Sequence, residues 1–424
     1  MRSRTLRLDE DIDPFAVGSA SGLLWHHPDG TDPTLAGVGE ACRIPIERPH
    51  GAEQAQRSLA LLAGDANSAG SSNETGGLDG PGTGPVAFTS LPFDRSKAGE
   101  LIVPEIVLAV GPHGRRWLTI TDDGTLTQSE AVDRLHTVAH EASTNTGDPQ
   151  PTRYEVVAQL PPEVWRDKIV GPATERLKAG ELDKLVLARR VTVTADHPID
   201  VPLVLSRLRG RFPTAILYSV DGYVGASPEL LVGRYGDVVR AHPLAGTAPR
   251  SADLAVDGRL AAELFASDKN RWEHRITIEW LLNGLLPFCS YVDAEPEPSI
   301  VSLANVHHLG TKVEGRLSSP APSVLELTAA LHPTPAVGGD PQSTALAMIE
   351  ELEQMERGRY AGPVGWVDGA GNGAMAVGIR SAEIDGNQAK VTAGNGIVAD
   401  SDPVSELAET RHKFQVMLGA LIQP

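Results

Sequence analysis

Three residues late in the chain, Glu406, Glu409 and Lys413, are spaced for joint work. On a helix of 3.6 residues per turn they fall within roughly 60° of one another. The apolar set Leu407, Phe414, Leu418 and Leu421 lies about 100° round the same helix. Two carboxylates and an ammonium are therefore aimed together, beside the buried stripe. Such a set suits a hard cation and an anionic ligand. The plainer reading is a solvated face with an i,i+4 pair between Glu409 and Lys413.

Other segments add chemistry. Lys184 stands in ELDKLVLARR, an apolar run where a lysine is unusual. Burial favours the neutral amine, the form that serves as a general base, although an edge-strand lysine is the competing idea. Glu229 follows Pro228 in GASPELLVGR, where apolar neighbours favour the protonated acid over a plain turn glutamate. PLAGTAPR (243–250) reads as a small-residue loop whose N–H groups and Thr247 hydroxyl suit an oxyanion. Glu273 borders a stripe of Trp272, Ile276 and Trp280 at i, i+4, i+8 spacing, a position fit for a carboxylate ligand. In AMAVGIRSAEI, alternation sets Arg380 on one face with Ala374, Ala376 and Gly378, leaving room for a ligand carboxylate or a structural one. His274, His307, His308 and His332 lack the spacing of a zinc site. Gly394-x-Gly396 lacks the third glycine of a dinucleotide fingerprint.

These side chains need elements to hold them. Asp402-Pro403 is a strong helix start, cap followed by proline. It comes after a glycine-rich turn, Ala393–Ile397. A helix near 162–180, broken at Gly171-Pro172, leads into a strand at 182–193. A hairpin at 215–233 precedes a long helix from about Leu254, interrupted near Ser267-Asp268 and ending before Pro287. Asp340-Pro341 opens a helix at 342–356. GPVGWVDG, AMAVGIRSAEI and QAKVTAG form a three-strand meander. Residues 1–150 read as short strands, with a hairpin at Asp122-Asp123-Gly124 and a mobile surface insertion at 64–85. The predicted fold is α+β (mixed α/β): one large domain of mainly antiparallel sheets packed by helices. Within it, 1–150 is a variable first part and 151–424 the catalytic region, with 155–424 as a single core.

Bulk properties narrow the function. A formal charge of −18 argues against nucleic acid or an anionic membrane as partner. It also means that any anionic ligand must meet local cations. Two cysteines, Cys42 and Cys289, exclude a disulfide framework and fit a reducing compartment. No run of 18 apolar residues and no apolar leader appear, so a cytoplasmic location is expected.

Taken in order, LDKLVLAR, GASPELL, PLAGTA, EH at 273–274, HHLG, LHPTPA, GPVGW, IRSA, AGNGIV and ELAETRHK resemble the chorismate-utilising enzymes over about 155–420. That resemblance implies a role for each matching residue. Glu273 and Glu409 correspond to ligands of an Mg²⁺ that holds the ring carboxylate, with Glu406 acting beside them through metal-bound water. Lys184 corresponds to the base that activates water, and Glu229 to the acid that protonates the departing ring hydroxyl. Arg380, Tyr360 and Gly394–Gly396 correspond to positions round the enolpyruvyl carboxylate. Gly246, Thr247, Ala336 and Lys413 correspond to substrate contacts, and His308 lies near the ring.

Ammonia-using members of the family lack a lysine where this chain has Lys184, and no glutaminase nucleophile motif appears, so water is the expected nucleophile and no glutaminase subunit is expected. LHPTPA resembles the isochorismate synthases, whereas Tyr360 resembles the salicylate synthases, and Val337 stands where a larger aliphatic residue can occur. An isochorismate synthase is the leading expectation. A salicylate synthase, or a non-catalytic binder with the 64–85 insertion as its contact segment, are the alternatives. In the isochorismate synthase reading, Lys184 and Glu229 stand apart on opposite faces of the ring, and Lys184 has no carboxylate partner.

Overall fold

A computed structural model of the protein describes residues 1–47, 51–63, 78–144 and 150–422. Among these residues the strands form two large sheets and one small one, with antiparallel pairing throughout the ladders. The first sheet has twelve strands. From the edge strand Arg2–Arg7 it passes through Leu23–His26, Ile216–Val220, Tyr223–Ser227, Ser381–Asp385 and Gln388–Ile397 to Lys184–Ala195. The second has nine and centres on Leu230–Tyr235, Gly373–Val377, Pro363–Asp368 and Val86–Ser90. The third joins Leu244–Pro249, Val306–Gly310 and Ser299–Ser302. The expected α+β fold of mainly antiparallel sheets packed by helices is what forms, in two facing layers, and the correction concerns the three-strand meander, which divides between them. Between them Trp25, Phe88, Tyr218, Tyr223 and Trp366 form a shared aromatic core, burying apolar faces of both layers at once.

The correction has a local cause at the supposed middle strand of the meander. AMAVGIRSAEI is two strands, Gly373–Val377 in the second sheet and Ser381–Asp385 in the first. The chain crosses between sheets at Gly378–Arg380. Tyr223 Oη donates to Gly378 O at 2.7 Å, and a Cβ on Gly378 would lie 2.6 Å from that hydroxyl. Arg380 itself has φ +53°, the left-handed region that side chains adopt rarely. Simple alternation therefore does not place Arg380; the crossing does.

Other expectations shift for similar reasons. Ala393–Ile397 is no turn but the end of the strand Gln388–Ile397, paired with Lys184–Ala195. The helix at 162–178 is continuous, with a wide turn at Trp165–Val170 leading into Gly171-Pro172. Asp340 pairs with Lys184 in a short strand, and Pro341 flanks the helix Gln342–Glu353. Asp122-Asp123-Gly124 leads to the helix Gln128–Thr144 instead of a hairpin. Helices also occur at Pro14–Ser21 and Gly51–Ala60, in the part read as strands alone. Of the 64–85 insertion, 64–77 lies outside the described residues. The part that follows is anchored: Gly82 O accepts from Trp117 Nε1 at 2.7 Å, and Gly82 N donates to Asp368 at 3.0 Å.

One buried acid stands apart from any ion pair. Asp32 is 3% exposed and neither of its oxygens makes a well-directed hydrogen bond among the described residues, with Tyr235 and Trp25 its nearest donors. Burial pushes its carboxyl from 3.8 up to about 6. A raised carboxylate keeps its proton in the folded chain while the unfolded chain has already lost it, so stability falls as pH rises from about 4 to 6. The gap corresponds to roughly 3 kcal/mol at neutral pH. Asp32→Asn, which cannot ionise, is expected to melt about 3 °C higher than the parent at pH 8 and level with it at pH 4. Equal melting temperatures at pH 8 would contradict this origin.

Candidate active site

The first sheet, the small sheet and two helices meet round a cavity of about 270 Å³. Two surface grooves, of about 470 and 480 Å³, are larger. Neither gathers buried acids and cations as this cavity does, so the chemistry singles it out. Its wall includes every site residue read from the sequence: Lys184, Glu229, Gly246, Thr247, Glu273, His308, Ala336, Tyr360, Arg380, Gly394, Gly396, Glu406, Glu409 and Lys413.

The floor is built by strand alternation. Lys184 and Val186 face the cavity together with Gly394 and Gly396 of the paired strand, in the register Val186↔Gly396 and Ala188↔Gly394. Glycine is needed beside the lysine side chain. A Cβ at Gly396 would approach Glu273 Oε1 to 2.9 Å and Lys184 Cε to 3.2 Å. The edge-strand reading of Lys184 fails, since the residue is fully buried. Its Nζ lies 2.8 Å from Glu273 Oε1. That contact is off-axis, and Nζ has no well-directed hydrogen-bond acceptor among the described residues. The expectation that Lys184 lacks a carboxylate partner is corrected: the floor lysine and the helix carboxylate are close enough to neutralise each other. Burial pushes the Glu273 carboxyl up, but Lys184 outweighs it and holds it below its ordinary value.

Glu273 enters from the helix Asp268–Leu285, capped by Ser267, whose hydroxyl accepts from Asn270 N. The packed face of that helix is His274, Thr277, Leu281 and Leu285. Trp272 is 37% exposed, so the tryptophan stripe is not what turns Glu273 inward.

Glu229 sits on the opposite side, at the end of the bulged strand Leu230–Tyr235. It is buried, and no ion pair joins it to Lys184 among the described residues. Burial pushes its carboxyl up to about 7, against the pull of Leu244 N–H, Lys184 and Arg380. It is an acid that can carry its proton at neutral pH.

PLAGTAP is a strand with a bulge at Gly246, not a free loop. Gly246 has φ +78°, which glycine adopts without penalty. His308 Nδ1 faces Gly246 O at 3.2 Å and Thr247 Oγ1 at 3.1 Å. A carbonyl only accepts, so Nδ1 carries the proton, and Nε2 accepts from Arg380 Nη2 at 3.2 Å. Burial, then Arg380, keeps this histidine neutral by holding its pKa well below the ordinary value. Arg380 is buried and its Nε has no partner among the described residues. Tyr360, also buried, lines the wall near Gly394.

The last helix, Pro403–Leu421, is capped by Asp402 and buries Leu407, Thr410, Phe414 and Leu421. This leaves Glu406, Glu409 and Lys413 toward the cavity. Lys413 Nζ pairs with Glu409 at 2.6 Å and donates to Gly394 O and Asn395 Oδ1. The i,i+4 pair of the plainer reading is thus present, but it faces the cavity. Burial and then Glu409 raise the Glu406 carboxyl to about 7. Crowded carboxylates of this kind fit a hard divalent cation by donor type. In the arrangement here Glu273 and Glu409 each face a lysine, and no three ligating side chains stand together among the described residues. Loading a cation would therefore open both ion pairs.

Sequence reasoning missed Lys269, Asn270, Val186 and Ser405, which also line the cavity. Lys269 and Asn270 stand four and three residues before Glu273 on one helix, a spacing that could have revealed them. No described helix is long and apolar enough to cross a membrane.

A family model described as chorismate binding enzyme matches residues 8–422. A Mycobacterium tuberculosis protein carrying the provisional name isochorismate synthase MenF is 41% identical over 355 residues, which is 80% of this chain and 87% of the relative. Isochorismate synthase MenF of Bacillus subtilis is 36% identical over 361 residues, 80% and 75% of the two chains. Among solved structures, the menaquinone-specific isochorismate synthase MenF of Escherichia coli has a TM-score of 0.78 at 24% identity. It covers 99% of this chain and 94% of that one, a likeness of fold.

Proposed function

The chain belongs to the chorismate-binding enzyme family, and from that premise we propose that it is an isochorismate synthase. It moves the ring hydroxyl of chorismate by adding water at C2 and expelling the hydroxyl at C4. The observation that carries the reading is the separation of Lys184 and Glu229. Both are buried and both face one cavity, Lys184 from a strand of the first sheet and Glu229 from the link between Tyr223–Ser227 and Leu230–Tyr235, without pairing. Relatives at 36% and 35% identity are named isochorismate synthases.

In this mechanism Arg380 and Lys413 receive the carboxylate groups of the dianion. Lys184 takes a proton from water as its oxygen bonds to C2, and the ring double bond shifts. The C4–O bond breaks, and Glu229 supplies the proton with which that hydroxyl leaves as water. Neutral His308 orients Arg380 without adding charge. Lys184 acts as base only when Glu273 is drawn elsewhere, because a paired ammonium has no lone pair to offer. Glu273 and Glu409, with Glu406 beside them, would hold Mg²⁺. When bound, the ion supplies positive charge for the ring carboxylate. Residues 1–150 and 151–424 act as one folded unit in this reading, because strands of the first part complete both large sheets. No glutaminase partner is needed, since water is the nucleophile, and a cytoplasmic location fits a reaction on a soluble metabolite.

Incubation with chorismate and MgCl₂, with chromatographic separation of the products, tests the proposal. Isochorismate is the expected product. Unchanged chorismate would overturn the activity, and salicylate with pyruvate would mark a lyase step in the same site.

The acid also sets a pH limit. A Glu229 titrating at about 7 is protonated below that pH and loses its proton above it. kcat/KM is therefore expected to fall as pH rises through 7, approaching tenfold per unit. A profile level from pH 6 to 9 would remove Glu229 from the role.

A further inference from the structure

Four cations line the cavity, and three are committed. Lys184 faces Glu273, Lys413 faces Glu409 and two backbone or amide oxygens, and Arg380 lies buried against His308. Lys269 differs from all of them. It is exposed where the others are buried or nearly so, and it makes no ion pair within 4 Å among the described residues. It also stands in the first turn of the helix Asp268–Leu285. The partial positive charge of a helix N-terminus disfavours a cation there, typically by about 0.3–1 kcal/mol. Asp268 in the same turn softens this, and Glu273, four residues on, feels the charge but is in contact with Lys184. The lysine is thus balanced only at a distance and held by no carboxylate among the described residues, which leaves its ammonium open to a ligand.

Its surroundings say which ligand. The charge of Lys269 reaches both Glu273 on its own helix and Glu406 on the helix Pro403–Leu421. It therefore stands at the rim where Asn270 meets Ser405 and Glu406. A chain with a formal charge of −18 repels a dianion at long range. Lys184 and Lys413 are neutralised by carboxylates and Arg380 lies buried against a neutral histidine, so none of the three is exposed at the entrance. We infer that Lys269 is the entrance cation, which draws the dianionic substrate through the acidic surface and passes it inward to Arg380 and Lys413. This rests on chorismate, or an equally charged ring dicarboxylate, being the substrate.

Steady-state kinetics of the full chain with Mg²⁺ and chorismate, at about 20 mM and about 500 mM ionic strength, provide the test. Lys269→Gln is expected to lower kcat/KM about tenfold at low salt, with the loss falling on KM far more than on kcat. The deficit should shrink to about twofold at high salt, where screening shortens the reach of a charge to about 4 Å. Lys269→Arg should restore the parent value within about twofold, and Lys269→Glu should lose about a hundredfold. Lys178→Gln, which removes the same charge from an exposed helix outside the cavity, controls for net charge and should change neither constant. A Lys269→Gln deficit below threefold at low salt, or one that salt does not reduce, would overturn the inference alone. Absence of turnover by the parent chain would overturn the substrate reading and this inference with it.

Discussion

Glu229→Gln and Lys184→Ala are each expected to cut isochorismate formation by about 10²–10⁴-fold, the usual contribution of a positioned acid or base. Hydroxide is a poor leaving group, and among the described residues no other buried acid lines that side of the cavity: Glu406 and Glu409 come from the last helix and Glu273 faces Lys184. Glutamine keeps the shape and the contact with Leu244 N–H but has no proton to give. Lys184→Ala removes the base and also leaves Glu273 buried without its partner, so its ligand affinity is best read separately, by thermal shift with chorismate and Mg²⁺. Retention of more than about a tenth of the parent rate by either variant would contradict the assigned roles. The pH dependence offers a second check. In Glu229→Gln, residual activity should no longer fall through pH 7 with the parent slope.

The second large effect lies behind the cavity and concerns stability. Glu353 and Arg357 form an ion pair with side chains 0% and 2% exposed. Arg357 donates to both Glu353 oxygens, to Val186 O at 2.7 Å and to Val337 O at 2.7 Å, and it lies over the Phe93 ring. Glu353 also accepts from Ala188 N at 2.6 Å. The pair thus bolts the 336–337 wall to the strand that carries Lys184. Arg357→Ala leaves a buried carboxylate and two buried carbonyls without their donor, a loss of about 3–5 kcal/mol. For a chain of this length that lowers the melting temperature by about 3–6 °C. Arg357→Lys should recover only part, because an ammonium cannot make the forked contact. The double variant Glu353→Gln, Arg357→Met should melt above Arg357→Ala, since it removes the orphaned charge. Denaturant unfolding of the set checks the order, and an Arg357→Ala chain as stable as its parent would refute the clamp.

Much of the cavity was legible in the sequence because its chemistry is local. Asp402-Pro403 does open a helix, and period 3.6 does bring Glu406, Glu409 and Lys413 to one side. The ordered motifs led to the right family. What failed was long-range. Nothing within AMAVGIRSAEI announces that it leaves one sheet and joins another, because the reason for the break is Tyr223, some 150 residues earlier. The glycines at 394 and 396 read as turn residues, yet their cause is the approach of Lys184, Glu273 and Tyr360 from other elements. The ion pair between Lys184 and Glu273 was hidden for the same reason: both residues were singled out, but only the fold sets them 2.8 Å apart.

The placement of Glu406, Glu409 and Lys413 on the final described helix bears on synthesis. Translation at about 5–20 residues per second puts on the order of 10–50 s between Lys184 and Lys413. For most of that interval the nascent chain holds Lys184 and Glu229 but neither the carboxylates of the last helix nor the partner strand Gln388–Ile397. Under the proposed mechanism, products of premature termination before residue 413 are expected to be catalytically silent, so that a cell aborting translation late would spend residues without diverting chorismate.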